Sequence, residues 1–376
     1  NIETLLTALG STTRLPYLSI LLPVGLSFHT FQAMSYTIEV YRGKQKAEKH
    51  FGIYALYVMF FPQLVAGPIE RPQNVLHQFH EHKVFTYANL IKGLKLVIWG
   101  FFMKVVVADR LAIYVNAAYN NVDNHNGTTL LLATTFFSFQ IYCDFAGYSS
   151  IAIGTARIMG FDLMTNFNRP YFARTISEFW KRWHISLSTW FRDYLYLPLG
   201  GNKVSKYRWY FNLFIVFLIS GIWHGANWTF VIWGALNGFY LVMAIVSQTF
   251  RDRINNALGL TRNRTFFTAL QIITTFILSS FAWIFFRANT VDEAFLIVEK
   301  ITTSLSGNLF VKWDVFFAVF IGLIVLLLKE FRDEFLSNKL SFLKKYNLSL
   351  VFYAVIVSLI LLMGVFDEGQ FIYFQF

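Results

Sequence analysis

Long apolar runs separated by short polar and basic stretches organise this chain. A helix needs about 20 mostly apolar residues to cross a bilayer. Read that way, the predicted spans cover residues 15–41, 51–66, 90–119, 128–154, 210–222, 228–246, 266–286, 315–328 and 348–364. The first is interrupted by Pro23 and Gly25 and carries His29. After the second comes GPIERPQ at 67–73, where two prolines stop any helix. The span over 90–119 holds Lys104, Asp109 and Arg110, and the adjacent Asp109 and Arg110 point in different directions on a helix. Asp144 lies inside the next span, where an acidic group needs a partner. It is read as a hydrogen-bonding clamp between helices or as part of a cavity.

One region breaks the pattern. EFWKRWHISLSTWFRDYLYLPLGG at 178–201 is too polar for a lipid-exposed span and too aromatic for a free loop. Re-entrant or interfacial helices fit it, lining a wet or protein-walled cavity where polar groups find partners. The runs over 210–222 and 228–246 follow, joined by WHGAN. Basic residues flank both outer ends (Lys203, Lys206 and Arg208; Arg251, Arg253, Arg262 and Arg264). This predicts a hairpin with both ends cytoplasmic and WHGAN toward the far side or deep in the bundle.

Composition sharpens the class. The 376 residues are 56% hydrophobic, 19% aromatic and 14% charged, against about 25% charged in soluble domains. The chain reads as all-α and polytopic, with the lipid bilayer as its surroundings. Its net charge of +11 sits largely in short loops, the pattern of cytoplasmic-loop enrichment, which argues against nucleic acid as a partner. Cys143 cannot form an internal disulfide and reads as packing. His77, His80 and His82 cluster in a hydrophilic stretch, but no metal-ligand spacing fits, so a solvated loop is the reading. No metal is expected.

The candidate chemistry rests on His184 and His224, each directly preceded by a tryptophan (Trp183, Trp223). A neutral imidazole can be buried without a fixed charge and can take a proton from a hydroxyl, which contributes about 10²–10⁴-fold as general base catalysis. In WHGAN, Gly225 lets a substrate approach the backbone, Trp223 can wall the pocket, and Asn227 can orient the imidazole or bind an oxyanion. The competing reading makes His224 polar glue between helices and His184 a structural support or positioning group. No GxSxG elbow, phosphate-binding glycine loop or zinc-type cysteine set is present.

Several stretches together resemble one family: LPVGLSFHTFQAMSY (22–36), FFPQLVAGPIERP (60–72), DFAGYSSIAIG (144–154), NFNRPYFARTISEFWKRWHISLSTWFRDYLYLPLGG (166–201), GIWHGANWTFVIWGALNG (221–238) and FAWIFFRA (281–288). They are similar to the membrane-bound O-acyltransferases, in the bacterial branch of alginate and peptidoglycan O-acetyltransferase membrane subunits. The resemblance implies a single domain over 1–376, a helical bundle with re-entrant helices around a central cavity. Further N-terminal helices of the full protein are expected to be missing here. It also implies a bacterial cytoplasmic (inner) membrane location and no bound cofactor. Cytosolic acetyl-CoA would be the acyl donor, and a polysaccharide such as alginate, or peptidoglycan, the exported acceptor. An extracytoplasmic SGNH-hydrolase-like acetyltransferase would be the partner.

The family's signature histidine falls on His224 and its second histidine on His184. Tyr373, in the terminal QFIYFQF, matches a tyrosine proposed to carry the acyl group transiently, and as an interfacial aromatic anchor it has an alternative role. Lys181, Arg182 and Arg192 are expected to attract the coenzyme A phosphates, with Asp193 grouped among the substrate-binding residues. Ser150 and Asn237 depart from residues common in relatives. Two rivals stay open: D-alanyl transfer to teichoic acid from a carrier protein, and a transporter moving an acylated carrier without chemistry.

Overall fold

The computed structural model describes residues 26–64, 66–305, 307, 309–310, 313–336 and 348–366. Tyr373 lies outside them. Helix α1 spans Leu26–Tyr41 and α2 spans Phe51–Met59. Helix α3 (Tyr87–Phe101) continues through a π-helical stretch, Phe102–Ala108, into α4 (Asp109–Tyr119). Then come α5 (Gly127–Ile158), the short α6 (Ile176–Arg182) and α7 (Ile185–Phe191), and the hairpin of α8 (Lys206–His224) and α9 (Trp228–Val246). The chain closes with α10 (Gln248–Ala257), α11 (Arg264–Arg287), α12 (Val291–Thr303), α13 (Trp313–Phe331) and α14 (Leu348–Met363). Among the described residues there is no strand.

Three of these helices, α5, α9 and α11, are long and apolar enough to cross a membrane. The run over 51–66 does not form the expected span. Phe60 turns extended ahead of Pro62, leaving a nine-residue helix, about 13 Å at 1.5 Å per residue and too short for a crossing. Helices α10 and α12 were not anticipated, because charges punctuate both segments and no apolar run marks them.

At the centre, α5 runs against α3 with almost nothing between the backbones. A Cβ on Gly100 would come within 2.6 Å of the Gly147 carbonyl oxygen, and one on Gly154 within 2.6 Å of Gly93 O. Lipid supplies no hydrophobic drive between helices, so close packing through small residues holds them together. Just beyond this contact Lys104 pairs with Asp144 on α5 at 2.5 Å and with Asp109 at 2.8 Å. Burying these charges is tolerable because each lies against an opposite one. Asp144 therefore ties α5 to the π-helical stretch, while Arg110 turns away and donates to Met363 O at the end of α14.

Candidate active site

His184 sits in the turn between α6 and α7, where its backbone is left-handed (φ 42, ψ 56). Such a conformation costs a non-glycine residue about 1–3 kcal/mol and persists only where the surroundings hold it. Here the 166–168 segment supplies the hold. The Ile185 N–H donates to Asn166 O at 2.8 Å, and the Asn168 N–H donates to Arg182 O at 2.9 Å. The buried Asn166 side chain reaches into the turn: its Oδ1 lies 3.1 Å from His184 Nδ1 and accepts from Ser186 Oγ at 2.9 Å. Its Nδ2 donates to Ser149 Oγ on α5 at 3.0 Å. The imidazole, 2% exposed, is caged by Phe28, Phe145 and Phe167 at centroid separations of 6.2, 4.6 and 6.2 Å.

His224 is the last residue of α8. The rings of Trp223, Trp233 and Phe286 surround it at 4.7, 5.1 and 5.2 Å. The hairpin that presents it is closed by glycines. A Cβ on Gly221 would lie 2.3 Å from Phe230 O and 3.1 Å from the Gly234 Cα, so only a bare backbone lets α8 and α9 meet.

Both histidines line one cavity of about 970 Å³, near the upper end of the usual range for ligand sites. Its floor is aromatic, with Trp183, Trp233, Trp283 and Phe286 all buried. Ser188, Thr189, Ser220 and Gln271 line its walls. Lys181, Arg192 and Arg251 line it too, with Asp252 as the one carboxylate in the lining among the described residues, and all four are exposed. The cavity thus has a basic mouth and an aromatic, imidazole-bearing interior. It touches His224, just before α9, and Arg251, just after it. It therefore runs the length of that 19-residue helix, about 28 Å and close to the thickness of a hydrocarbon core.

The expected substrate-binding residues divide. Lys181 and Arg192 reach the cavity. Arg182, one residue on, turns away and binds Glu178 at 2.7 Å and Glu334 at 2.8 Å. Glu334 also binds Arg169 at 2.7 Å. Burial alone would raise the Glu334 carboxyl, but hydrogen bonds from Arg182 and Arg169 hold it below its ordinary range. Asp193 pairs with Arg192 at 2.8 Å and Arg71 at 3.6 Å, away from the cavity wall. Asn227 caps α9, accepting from the Thr229 N–H at 3.2 Å, and donates to Asn289 O at 2.6 Å. Trp223 packs behind His224 on Phe31 at 5.0 Å.

Asn166 and the tryptophans at 233 and 283 were given no role from the sequence, and Arg251 was read only as part of a basic flank. A buried amide carries no chemical signature of its own, although NFNRP placed Asn166 in a distinctive stretch. Among the described residues no cluster of His, Cys, Asp or Glu could hold a metal ion. His80 pairs instead with Glu48 at 2.7 Å.

Residues 49–288 match the model of the MBOAT, or membrane-bound O-acyltransferase, family, and every cavity-lining residue falls inside that match. The chain belongs to the membrane-bound O-acyltransferase family. It is 41% identical over 280 residues to a probable alginate O-acetylase of Pseudomonas aeruginosa, covering 74% of this chain and 51% of that protein. It is 35% identical over 311 residues to the peptidoglycan O-acetyltransferase of Helicobacter pylori, covering 75% and 57%. A teichoic acid D-alanyltransferase of Bacillus subtilis matches at 28% over 265 residues, covering 67% and 65%. The chain spans about half the length of the first two of these relatives. As the family and the apolar helices indicate, it is a membrane protein.

Proposed function

We propose that this chain forms the reactive part of a multi-pass O-acyltransferase of the bacterial inner membrane, moving acetyl groups from cytosolic acetyl-CoA to an exported polysaccharide or peptidoglycan. One observation carries the reading: a single cavity joins exposed Lys181, Arg192 and Arg251 to buried His184 and His224. Basic side chains at a mouth suit the phosphates of coenzyme A. About 970 Å³ spread along a helix about 28 Å long makes an elongated cavity. A long thioester arm fits such a shape, with its acyl end among the histidines. Basic loops on the mouth side favour a mouth that opens to the cytosol. Acceptance of the acyl group by Tyr373, and its hand-over to a separate extracytoplasmic transferase, complete the proposed route. Arg182 and Asp193 support the architecture in this reading, and Asn227 fixes the hairpin.

The test is the O-acetyl content of the exported polymer in cells carrying His224→Ala, with membrane levels of the protein matched. Loss of acetyl at normal protein level is expected. Unchanged acetylation would sink the reading and bring forward the transporter, which tolerates a neutral residue at His224. The teichoic acid D-alanyltransferase match favours one second reading, D-alanyl transfer. Offering purified protein acetyl-CoA and a D-alanyl carrier protein in turn separates the donors.

A further inference from the structure

The orientation of His184 is set by a group that does not titrate. Asn166 is fully buried, and one end of its amide faces the Ser186 backbone N–H at 3.2 Å. A backbone N–H can only donate, so the amide atom facing it is the oxygen. The other end donates to Ser149 Oγ at 3.0 Å, a hydroxyl that is free to accept. That oxygen also lies 3.1 Å from His184 Nδ1. A carbonyl oxygen only accepts, and the Ser186 hydroxyl, 3.4 Å from Nδ1, gives its hydrogen to that same oxygen at 2.9 Å, so Nδ1 carries the proton; a neutral imidazole has one N–H, so Nε2 keeps its lone pair. Nε2 is buried without a hydrogen-bond partner among the described residues, on a ring that lines the cavity. An unpaired buried acceptor is costly, and a substrate hydroxyl would satisfy it.

We infer that Asn166 is a positioning residue that locks His184 in its Nδ1–H tautomer, leaving Nε2 as the proton acceptor for the incoming hydroxyl. This rests on the acyl-transfer reading. In the step, the hydroxyl oxygen bonds to the thioester carbonyl carbon and the carbon–sulfur bond breaks. The hydroxyl proton passes to Nε2 and then to the leaving sulfur. The products are an ester and a free thiol, and the ring returns to neutral. The choice of an amide has a physical consequence. A carboxylate in the same place would favour the imidazolium and hold the proton, whereas an amide orients the ring without adding charge. The left-handed backbone at His184 (φ 42) lies in the same turn, which the Ile185 N–H bond to Asn166 O holds at 2.8 Å.

The test has two arms. Nitrogen-15 NMR of histidine-labelled protein in lipid nanodiscs reads the tautomer, with the His184 signal assigned by its loss in His184→Gln. A protonated Nδ1 and bare Nε2 are expected, with a mixture of tautomers in Asn166→Ala. A protonated Nε2 in the wild type overturns the inference. The second arm follows thiol release from acetyl-CoA by membranes supplied with the exported polymer. Asn166→Ala should lower kcat about 100-fold with the acetyl-CoA KM held within about twofold. Asn166→Asp keeps the accepting oxygen but favours the imidazolium, so it should move the acidic limb of the pH profile upward and recover most of kcat only above that limb. An unchanged kcat in Asn166→Ala, or a change confined to KM, overturns the inference. Should Asn166→Ala fail to accumulate, the wild-type tautomer and the Asn166→Asp profile decide. A wild type that releases no thiol sinks the acyl-transfer reading, while the tautomer measurement stands apart from it.

Discussion

His184 lies in a left-handed turn, and its polar partner Asn166 comes from 18 residues earlier in the chain. His224 ends a 19-residue helix, and its neighbouring rings come from the two helices of the hairpin at whose turn it stands and from α11. The first is therefore oriented by a hydrogen-bond network that pins a particular nitrogen. The second is placed by helix geometry and the packing of flat rings. Hydrogen bonds fix direction, whereas aromatic packing chiefly fixes position. Two imidazoles in one cavity are thus built to different tolerances, and each has a distinct way to fail.

Replacing the rings themselves is the harshest way to break the contrast. His184→Gln and His224→Gln should each lower kcat by about 10²–10⁴-fold, measured as thiol release from acetyl-CoA. Equal loss from both would mean that both act in one step, and a milder loss at either would rank them.

Attacking the hairpin tests whether His224 alone depends on helix packing. Gly221→Val should force α8 from α9, costing about 1–3 kcal/mol of stability in detergent and most of kcat. The His184 tautomer signal should stay unchanged, because Asn166 and Ser186 belong to other elements.

A smaller effect separates neighbours at the mouth. Lys181→Gln should raise the acetyl-CoA KM about two- to fivefold, the scale of an exposed charge contact, with kcat unchanged. Arg182→Gln should leave KM alone and lower the melting temperature, because it deprives Glu334 of one of its cations. A raised KM in Arg182→Gln would return that residue to the binding set.

The weakest signal is pH-dependent. The Glu334 carboxyl titrates below its ordinary range in the folded protein. Its contribution to stability is therefore complete above the unfolded value, about 4.3, and is lost as pH falls through the lower folded value. The melting temperature of Glu334→Gln should lie below wild type at neutral pH, and the two should converge on acidification. A gap that stays constant down to strongly acidic pH would show that the ion pairs with Arg169 and Arg182 are not its source.

The sequence by itself determined the features that rest on composition and local pattern. Apolar run length marked α5, α9 and α11, since a bilayer crossing demands it. The basic flanks and WHGAN located the hairpin and its histidine, because glycine and charge act within a few residues of where they stand. Polar residues at membrane depth singled out the His184 segment for the same reason. Tertiary structure decided what depends on distant partners. It sent Lys181 to the cavity and its neighbour Arg182 to Glu334, 152 residues away. It gave Asn227 a capping role, and it brought Asn166 to His184. A side chain's type states what it can bond to, but which bond forms depends on where the rest of the chain returns.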